Sequence, residues 1–352
     1  MEPSFRTIDG GIVFPEHDQI SQPPTPFQKV TDAAFRRVCH GFAWVFVLLI
    51  TFIVLRIALA AGPAFRQEGL RFLAGTTWDP NLGQYGILPE IWGTLYSSVL
   101  ALIIGTTFGL AAAIFLSEGY LSSFVFETLK IFRVHFHPTW GKLPDRLEQS
   151  LKNLIELLAA IPSVVYGLWG LFVVIPLIRP ACNWLHLKLG WIPWFGTTLS
   201  GPGMLPAALV LSIMILPTIT AISRDALVSV PSKLRMAAYG LGATQWETIL
   251  AVILPTAMRG IFGAVVLAFG RALGETMALA MLVGNANHIS VSLFSPANTL
   301  AALLANNFPE APPKEVGVLM YAALVLLGIT LLTNVIGATI LQRASVTLEG
   351  NK

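Results

Sequence analysis

Six stretches of this sequence are apolar over most of their length and long enough to cross a membrane. About 20 predominantly apolar residues are needed to span the hydrocarbon core of a bilayer. Since spanning segments of this kind satisfy their backbone hydrogen bonds as helices, the sequence predicts an all-α membrane protein with six transmembrane helices. Charged residues make up 12% of the sequence, compared with about 25% in soluble proteins, which agrees with a membrane protein. The predicted spans are Phe42–Ala61, Ile91–Leu116, Leu154–Ile178, Met204–Ile222, Ile261–Val283 and Val316–Leu341.

The positions of the positive charges indicate how these spans are oriented, because cytoplasmic flanks are enriched in lysine and arginine. Of the 22 lysines and arginines, fifteen lie on one set of alternate flanks. The opposite flanks hold five: Arg66, Arg71, Arg179, Lys188 and Lys314. We therefore expect both termini in the cytoplasm. The predicted organisation is an N-terminal tail over 1–41, a transmembrane domain over 42–341 with a cytoplasmic loop at 223–259, and a C-terminal tail over 342–352.

Motifs that would indicate chemistry within the chain are missing from the sequence. It contains no G-x-x-x-x-G-K-[ST] phosphate loop, no G-x-S-x-G and no H-E-x-x-H. His135 and His137 have no partners at metal-ligand spacing. We therefore expect no catalytic residue, no metal site and no cofactor bound by this chain, and we rank a membrane enzyme last. If ATP drives the protein, another chain must hydrolyse it.

The polar loop after the fourth span has the pattern of a helical hairpin. Gly240 and Gly242 break a first helix. Thr244 with Glu247 three residues later has the spacing of a capping box, and the second helix is expected to stop before Pro255. Spacing leaves two interpretations open, a lever that docks another protein or an ordinary interfacial hairpin.

The fifth predicted span carries Arg271 and Glu275, four residues apart. Residues at this spacing lie on one face of a helix and can pair. An ion pair that locks two spans together is one interpretation. The other is an anion path, in which Arg271 binds oxygens with its planar guanidinium while Glu275 and Thr276 lie beside it. A secondary transporter driven by protons or sodium, with Glu275 as the proton carrier, is a rival from a different class.

The hairpin resembles the coupling motif of ABC importer permeases, E-A-A-x3-G-x9-I-x-L-P. Met236 stands where that motif has Glu, and Val252 stands at its Ile position. The resemblance implies a type I ABC importer permease fold whose cytoplasmic coupling helix docks into an ATPase subunit. The residues carried over to that docking element are Arg235, Met236, Ala237, Ala238, Gly242, Ala243, Leu254 and Pro255.

Longer runs narrow the resemblance to the PstC-type permeases of the phosphate-specific ABC transport system. They include Pro162-Ser-Val-Val-Tyr-Gly-Leu-Trp-Gly170 and Arg271-Ala-Leu-Gly-Glu-Thr-Met-Ala278. The resemblance implies import of inorganic phosphate across a bacterial inner membrane, with Arg271, Glu275 and Thr276 on the path. The implied partners are a PstA-type second permease, a PstB-type ATPase dimer that carries ATP-Mg, a PstS-type external phosphate-binding protein and membrane lipid, but no nucleic acid. Sulfate or molybdate remains an alternative substrate.

Overall fold

The computed structural model describes residues 25–120 and 143–349. Two units are distinguished, residues 1–56 and residues 57–352. In the first unit α1 begins at Pro26, so this helix includes residues 26–41 of the predicted tail. Residues 1–24 of that tail and the histidines His135 and His137 lie outside the described residues.

The described chain is almost entirely helical, and short connections join its helices. In chain order the elements are α1 (Pro26–Glu68), α2 (Arg71–Ala74), β1 (Trp78–Asp79), β2 (Gln84–Tyr85), α3 (Leu88–Ser117), α4 (Leu143–Ala160), α5 (Ser163–Leu189), α6 (Met204–Val228), α7 (Ser232–Gly240), α8 (Gln245–Leu273), α9 (Met277–Leu282), α10 (Leu300–Asn307) and α11 (Pro313–Glu349). Six of them, α1, α3, α5, α6, α8 and α11, are long and apolar enough to cross a membrane. The prediction of an all-α protein with six spans is confirmed.

The third span begins later than predicted. The sequence indicated Leu154–Ile178, but one helix ends at Ala160 and the next begins at Ser163. Pro162 explains the break, because a proline disfavours helical geometry in the residue before it. The spanning helix then continues to Leu189 through a π turn at Gly170–Val174. Residues 179–189, which lie beyond the predicted end of the span at Ile178, are therefore helical.

The fifth span is shifted in the opposite direction. We predicted a helix that stops before Pro255 and a separate span over Ile261–Val283, whereas α8 runs unbroken from Gln245 to Leu273. A π turn at Ile249–Ile253 ends two residues before Pro255 and accommodates a ring that would clash in a regular α-helix. The helix ends where Gly274 takes the C-cap position, and α9 begins after this break.

Helix α6 forms the centre of the second unit. Its most apolar stretch is 61% buried, more than that of any other described span. Gly105 and Gly109 of α3 bring the two backbones together, because a Cβ on either would lie 3.0 Å or less from the side chain of Ile215 or Ile219. The Thr220 hydroxyl donates to the Gly109 carbonyl at 3.1 Å, so α3 and α6 are joined by both close packing and a hydrogen bond.

Two ends of the bundle can be distinguished. The hairpin end carries the segment 229–248, and the opposite end carries the loop 283–299 together with the β1–β2 hairpin. At the opposite end, α3 fixes the loop through two long-range hydrogen bonds. The Trp92 indole donates to the Ser290 carbonyl at 3.0 Å, and the Tyr96 hydroxyl donates to the Val291 carbonyl at 2.8 Å.

Candidate functional site

The hairpin has the geometry that its sequence predicts. Helix α7 ends at Gly240, and Gly242 then adopts a left-handed φ of 87°, which costs a residue with a Cβ about 1–2 kcal/mol. Thr244 accepts a hydrogen bond from the Glu247 backbone N–H, while the Glu247 carboxylate accepts one from the Thr244 backbone N–H at 2.8 Å. The predicted capping box is therefore confirmed, and it fixes the point where α8 begins.

The tip of the hairpin exposes apolar side chains that nothing in the described chain covers. Leu241 is 90% exposed and Met236 is 71% exposed, and the next residue after each, Gly242 and Ala237, is also exposed. A compact apolar patch on a protein that also has polar loops indicates an interaction surface. We call Met236, Ala237, Leu241 and Gly242 the docking surface.

Arg235 does not belong to this surface, although its motif position led us to include it. Its guanidinium points into the protein and forms an ion pair of 2.6 Å with Glu118 at the end of α3. The second terminal nitrogen donates to the Leu227 carbonyl of α6 at 2.7 Å. The Glu118 backbone carbonyl in turn accepts from the Gln245 side chain at 3.2 Å. Arg235 and Glu118 thus connect the hairpin to α3, α6 and α8.

The other predicted docking residues also include members that pack into the protein and do not lie on the docking surface. Ala238 is buried, and its carbonyl accepts from the backbone N–H of half-buried Ala243 at 3.1 Å. Leu254 packs against the buried cluster that holds Ile249 and Ile253, whereas Pro255 is exposed. These residues shape and support the hairpin, and the docking surface itself is smaller than the motif.

Arg271 lies on an exposed face beside α6. Its guanidinium donates to the Thr218 hydroxyl at 3.3 Å. Thr218 precedes the end of α6 at Val228 by about 15 Å of helix, so the charge lies near the middle of the most buried span. A permanent charge at this depth is costly in lipid and indicates a functional role.

The predicted pair between Arg271 and Glu275 is not formed. No ion pair joins them within the described part of the chain, because α8 ends between the two residues and removes the helical spacing on which the prediction rested. The Glu275 carboxylate instead accepts from the Ala278 backbone N–H at 3.4 Å, at the start of α9. Thr276 donates to the Gly274 carbonyl at 3.2 Å, and no hydrogen bond joins it to Arg271 in the described chain.

The absence of that pair changes what the site can do. A structural ion pair would neutralise Arg271, whereas the observed neighbour is a neutral hydroxyl. The guanidinium therefore keeps its full charge on an exposed face and can attract an anion. Among the described residues no cluster of three or more His, Cys, Asp or Glu could hold a metal ion.

Two residues of this arrangement escaped the sequence reasoning. Glu118 is separated from Arg235 by more than a hundred residues, and no local pattern marks it as a partner. Thr218 follows Pro217 inside an apolar span and resembles any other helical threonine. Both were recognisable only once the helices had been placed side by side.

Comparison with known proteins identifies the class. Residues 140–345 match the family described as binding-protein-dependent transport system inner membrane component. The chain resembles an alginate ABC transporter (TM-score 0.54, 14% identity, 88% of this chain and 96% of that one) and the MetNI methionine ABC transporter (TM-score 0.51, 16% identity, 76% and 99%). At these identities the likeness concerns the fold alone, which is that of the ABC importer permeases.

Closer relatives exist by sequence. The phosphate transport system permease protein PstC of Mesorhizobium japonicum is 37% identical over 86% of this chain and 86% of the relative. The protein of the same description from Pasteurella multocida is 36% identical over 89% and 92%. A probable PstC of Methanocaldococcus jannaschii is 32% identical over 85% and 90%. The chain belongs to the binding-protein-dependent inner membrane components and, within them, to the PstC permease family.

Proposed function

We propose that this protein is the permease subunit through which an ATP-driven importer moves inorganic phosphate across the inner membrane. The observation that carries the proposal is the 36–37% identity to phosphate permeases over most of both chains. The guanidinium of Arg271 also supports it. This group lies beside the middle of α6 with a neutral hydroxyl as its partner, and its planar geometry is suited to binding phosphate oxygens.

The hairpin end faces the cytoplasm in this proposal, in agreement with the excess of lysine and arginine on the same side. There the docking surface meets a PstB-type ATPase dimer, which binds and hydrolyses ATP-Mg. The remaining subunits are a PstA-type second permease and a PstS-type phosphate-binding protein at the opposite end. This chain contributes no nucleotide-binding residue.

Movement of the hairpin is transmitted to the phosphate path at Arg271 through contacts that α7 makes. Closure of the ATPase dimer displaces the docking surface, and the ion pair of Arg235 with Glu118 carries that displacement to α3. The hydrogen bond from Arg235 to the Leu227 carbonyl transmits the displacement to α6. In α6, the Thr218 hydroxyl accepts a hydrogen bond from Arg271. Rotation of these helices exposes Arg271 first to the outer and then to the inner side.

Arg271 acts as a temporary binding site. The face on which it lies is free for the second permease subunit, so the phosphate path runs between the two chains. Binding must be weak enough for the ion to leave. A neutral hydroxyl partner orients the guanidinium without adding a second positive charge that would hold phosphate too tightly.

A competition experiment tests the substrate and the energy source together. Cells that depend on the complete transporter are given labelled phosphate in the presence of excess sulfate or molybdate. We expect undiminished uptake that persists with an uncoupler while ATP is maintained. Uptake blocked by sulfate would indicate a different oxyanion importer. Uptake that collapses with the uncoupler alone would indicate a secondary transporter.

A further inference from the structure

A second polar site lies at the opposite end of the bundle, away from Arg271. It is a cavity of about 340 Å³ between β1, the loop 283–299 and α10. In the described part of the chain its lining holds no charged side chain. The lining residues are Trp78, Asn285, Asn287, Asn298, Leu303, Asn306 and Asn307.

Hydrogen bonds hold the asparagines in fixed positions. Asn298 donates from its amide to the Asn287 side-chain carbonyl at 3.2 Å, and Asn306 donates to that of Asn285 at 2.8 Å. Asn285 itself has a left-handed φ of 50°, a conformation that asparagine adopts more readily than other residues with a Cβ. The loop 283–299 and α10 are thereby joined across the cavity.

These bonds leave both donor groups and acceptor groups of the asparagines without a partner. Within the described residues, the side-chain NH₂ groups of Asn285 and Asn287 have no acceptor. The side-chain carbonyls of Asn306 and Asn307 have no donor, since each of these residues uses only its NH₂ group. The cavity therefore offers two uncharged NH₂ groups as donors and two uncharged carbonyl oxygens as acceptors.

A ligand that satisfies such a lining must itself both accept and donate. Inorganic phosphate does so near neutral pH, because its P–O oxygens accept while its remaining P–OH donates. Sulfate and molybdate carry no proton under these conditions, and they would place oxygen lone pairs against the Asn306 and Asn307 carbonyls. A site built to bind a hydroxyl discriminates against an analogue without one, because its acceptors then face oxygen lone pairs in place of a donor.

We propose that this asparagine pocket is a binding site for protonated tetrahedral oxyanions, which receives phosphate before it reaches Arg271 and rejects fully deprotonated oxyanions. The inference rests on the proposed function and adds a site and a basis for selectivity to it. Since the lining is uncharged, affinity is low, as an ion that must continue along the path requires. The volume admits the ion with part of its water shell, at about 30 Å³ per water.

The test uses Asn287→Asp. The replacement keeps the acceptor for Asn298 and exchanges only the unused NH₂ group for a negatively charged oxygen. Asn81→Asp is the matched control, since Asn81 lies exposed in the β1–β2 turn, outside the lining, and undergoes the same change. Both are made in the Arg271→Gln background, so that the guanidinium contributes nothing to binding.

Weak binding is measured by ³¹P line broadening of inorganic phosphate with the assembled permeases and ATPase in nanodiscs, without nucleotide and without the external binding protein. We expect Asn287→Asp to weaken phosphate binding about tenfold or more, equivalent to about 1.4 kcal/mol, and Asn81→Asp to leave it unchanged. Arsenate should displace phosphate and sulfate should not.

Equal broadening with Asn287→Asp, or equal displacement by sulfate, would overturn the inference. Uptake assays of Asn287→Asp alone, with Arg271 intact, separate this inference from the proposed function. Normal phosphate uptake together with unchanged ³¹P line broadening would contradict the asparagine pocket and leave the proposed function intact. Uptake of sulfate in place of phosphate would contradict the proposed function.

Discussion

Arg235 and Glu118 form an ion pair of 2.6 Å that fastens the exposed hairpin to the end of α3. The Glu118 side chain is 5% exposed and that of Arg235 is 20% exposed, so neither charge is well solvated. A signal received at the docking surface reaches α8 through the chain itself, and it reaches α3 through contacts of this kind. The pair is therefore the connection to α3 in the proposed coupling.

Loss of this pair should uncouple ATP hydrolysis from transport. Breaking a buried pair by removing one partner costs about 3–5 kcal/mol, and we expect Glu118→Gln to approach the lower end because Arg235 is partly exposed. ATP hydrolysed per phosphate imported by proteoliposomes is the measurement, and it should rise severalfold. The control is Glu156→Gln, which removes the exposed pair of Glu156 with Lys152 at 3.9 Å and should change nothing. Equal coupling ratios in both variants would contradict the role of the pair.

Two glycines of the hairpin provide a comparison at almost the same place. Neither would meet an atom within 4 Å if a Cβ were added, but only Gly242 has a positive φ. Gly242→Ala should therefore strain the turn by about 1–2 kcal/mol and weaken co-purification of the ATPase, while Gly240→Ala should be tolerated. Similar ATPase recovery from both variants would show that the left-handed turn does not shape the docking surface.

Arg271→Gln should abolish phosphate uptake while leaving membrane insertion and ATPase association intact, because the substitution removes the charge and alters no buried contact. Thr218→Val removes only the hydroxyl partner at 3.3 Å, and we expect it to lower uptake about two- to tenfold, the range of about 0.5–1.5 kcal/mol for one hydrogen bond. Arg66→Gln, at an exposed arginine near the end of α1, serves as the control. Uptake in Arg271→Gln equal to that of the control would remove Arg271 from the path.

Exchange of the two charges in Arg271→Glu/Glu275→Arg should not restore transport. The two residues lie on either side of a helix break and form no pair, so a reversed pair has no structure to recreate. Glu275→Gln alone should have a small effect, since its amide oxygen can still accept from the Ala278 backbone. Recovery of uptake in the double variant, relative to Arg271→Glu, would demonstrate the pair that the structure lacks.

Glu90 provides a prediction about stability. Its side chain is fully buried in α3 beside the Asn298 side chain, and neither carboxylate oxygen has a hydrogen-bond partner within 3.5 Å in the described chain. A buried charge without partners is costly, so Glu90→Gln should leave the thermal unfolding temperature in detergent unchanged or raise it, and uptake should continue. Loss of uptake by a well-folded Glu90→Gln protein would instead assign this carboxyl a function.

Much of this architecture was predictable because lipid imposes a simple rule on sequence. The stretches at 91–116 and 204–222 fall within α3 and α6 since uninterrupted apolar length alone defines a spanning helix. The capping box at Thr244 was equally predictable, because both partners lie within one turn.

The errors in the helix boundaries have one cause, which is how the backbone responds to proline and glycine. Pro162 ended a helix, whereas Pro255 did not, because a π turn accommodates its ring. Gly274 ended α8 and so separated Arg271 from Glu275. Partners that are distant in the chain, such as Glu118 for Arg235, follow from packing and leave no local pattern.

The most direct test of the account is uptake of labelled phosphate by proteoliposomes that contain the complete transporter and the external binding protein, with ATP supplied on the hairpin side. We predict uptake that requires ATP, is unaffected by excess sulfate, and is lost with Arg271→Gln while ATPase association is retained. ATP-independent uptake, or uptake that survives Arg271→Gln, would contradict the account.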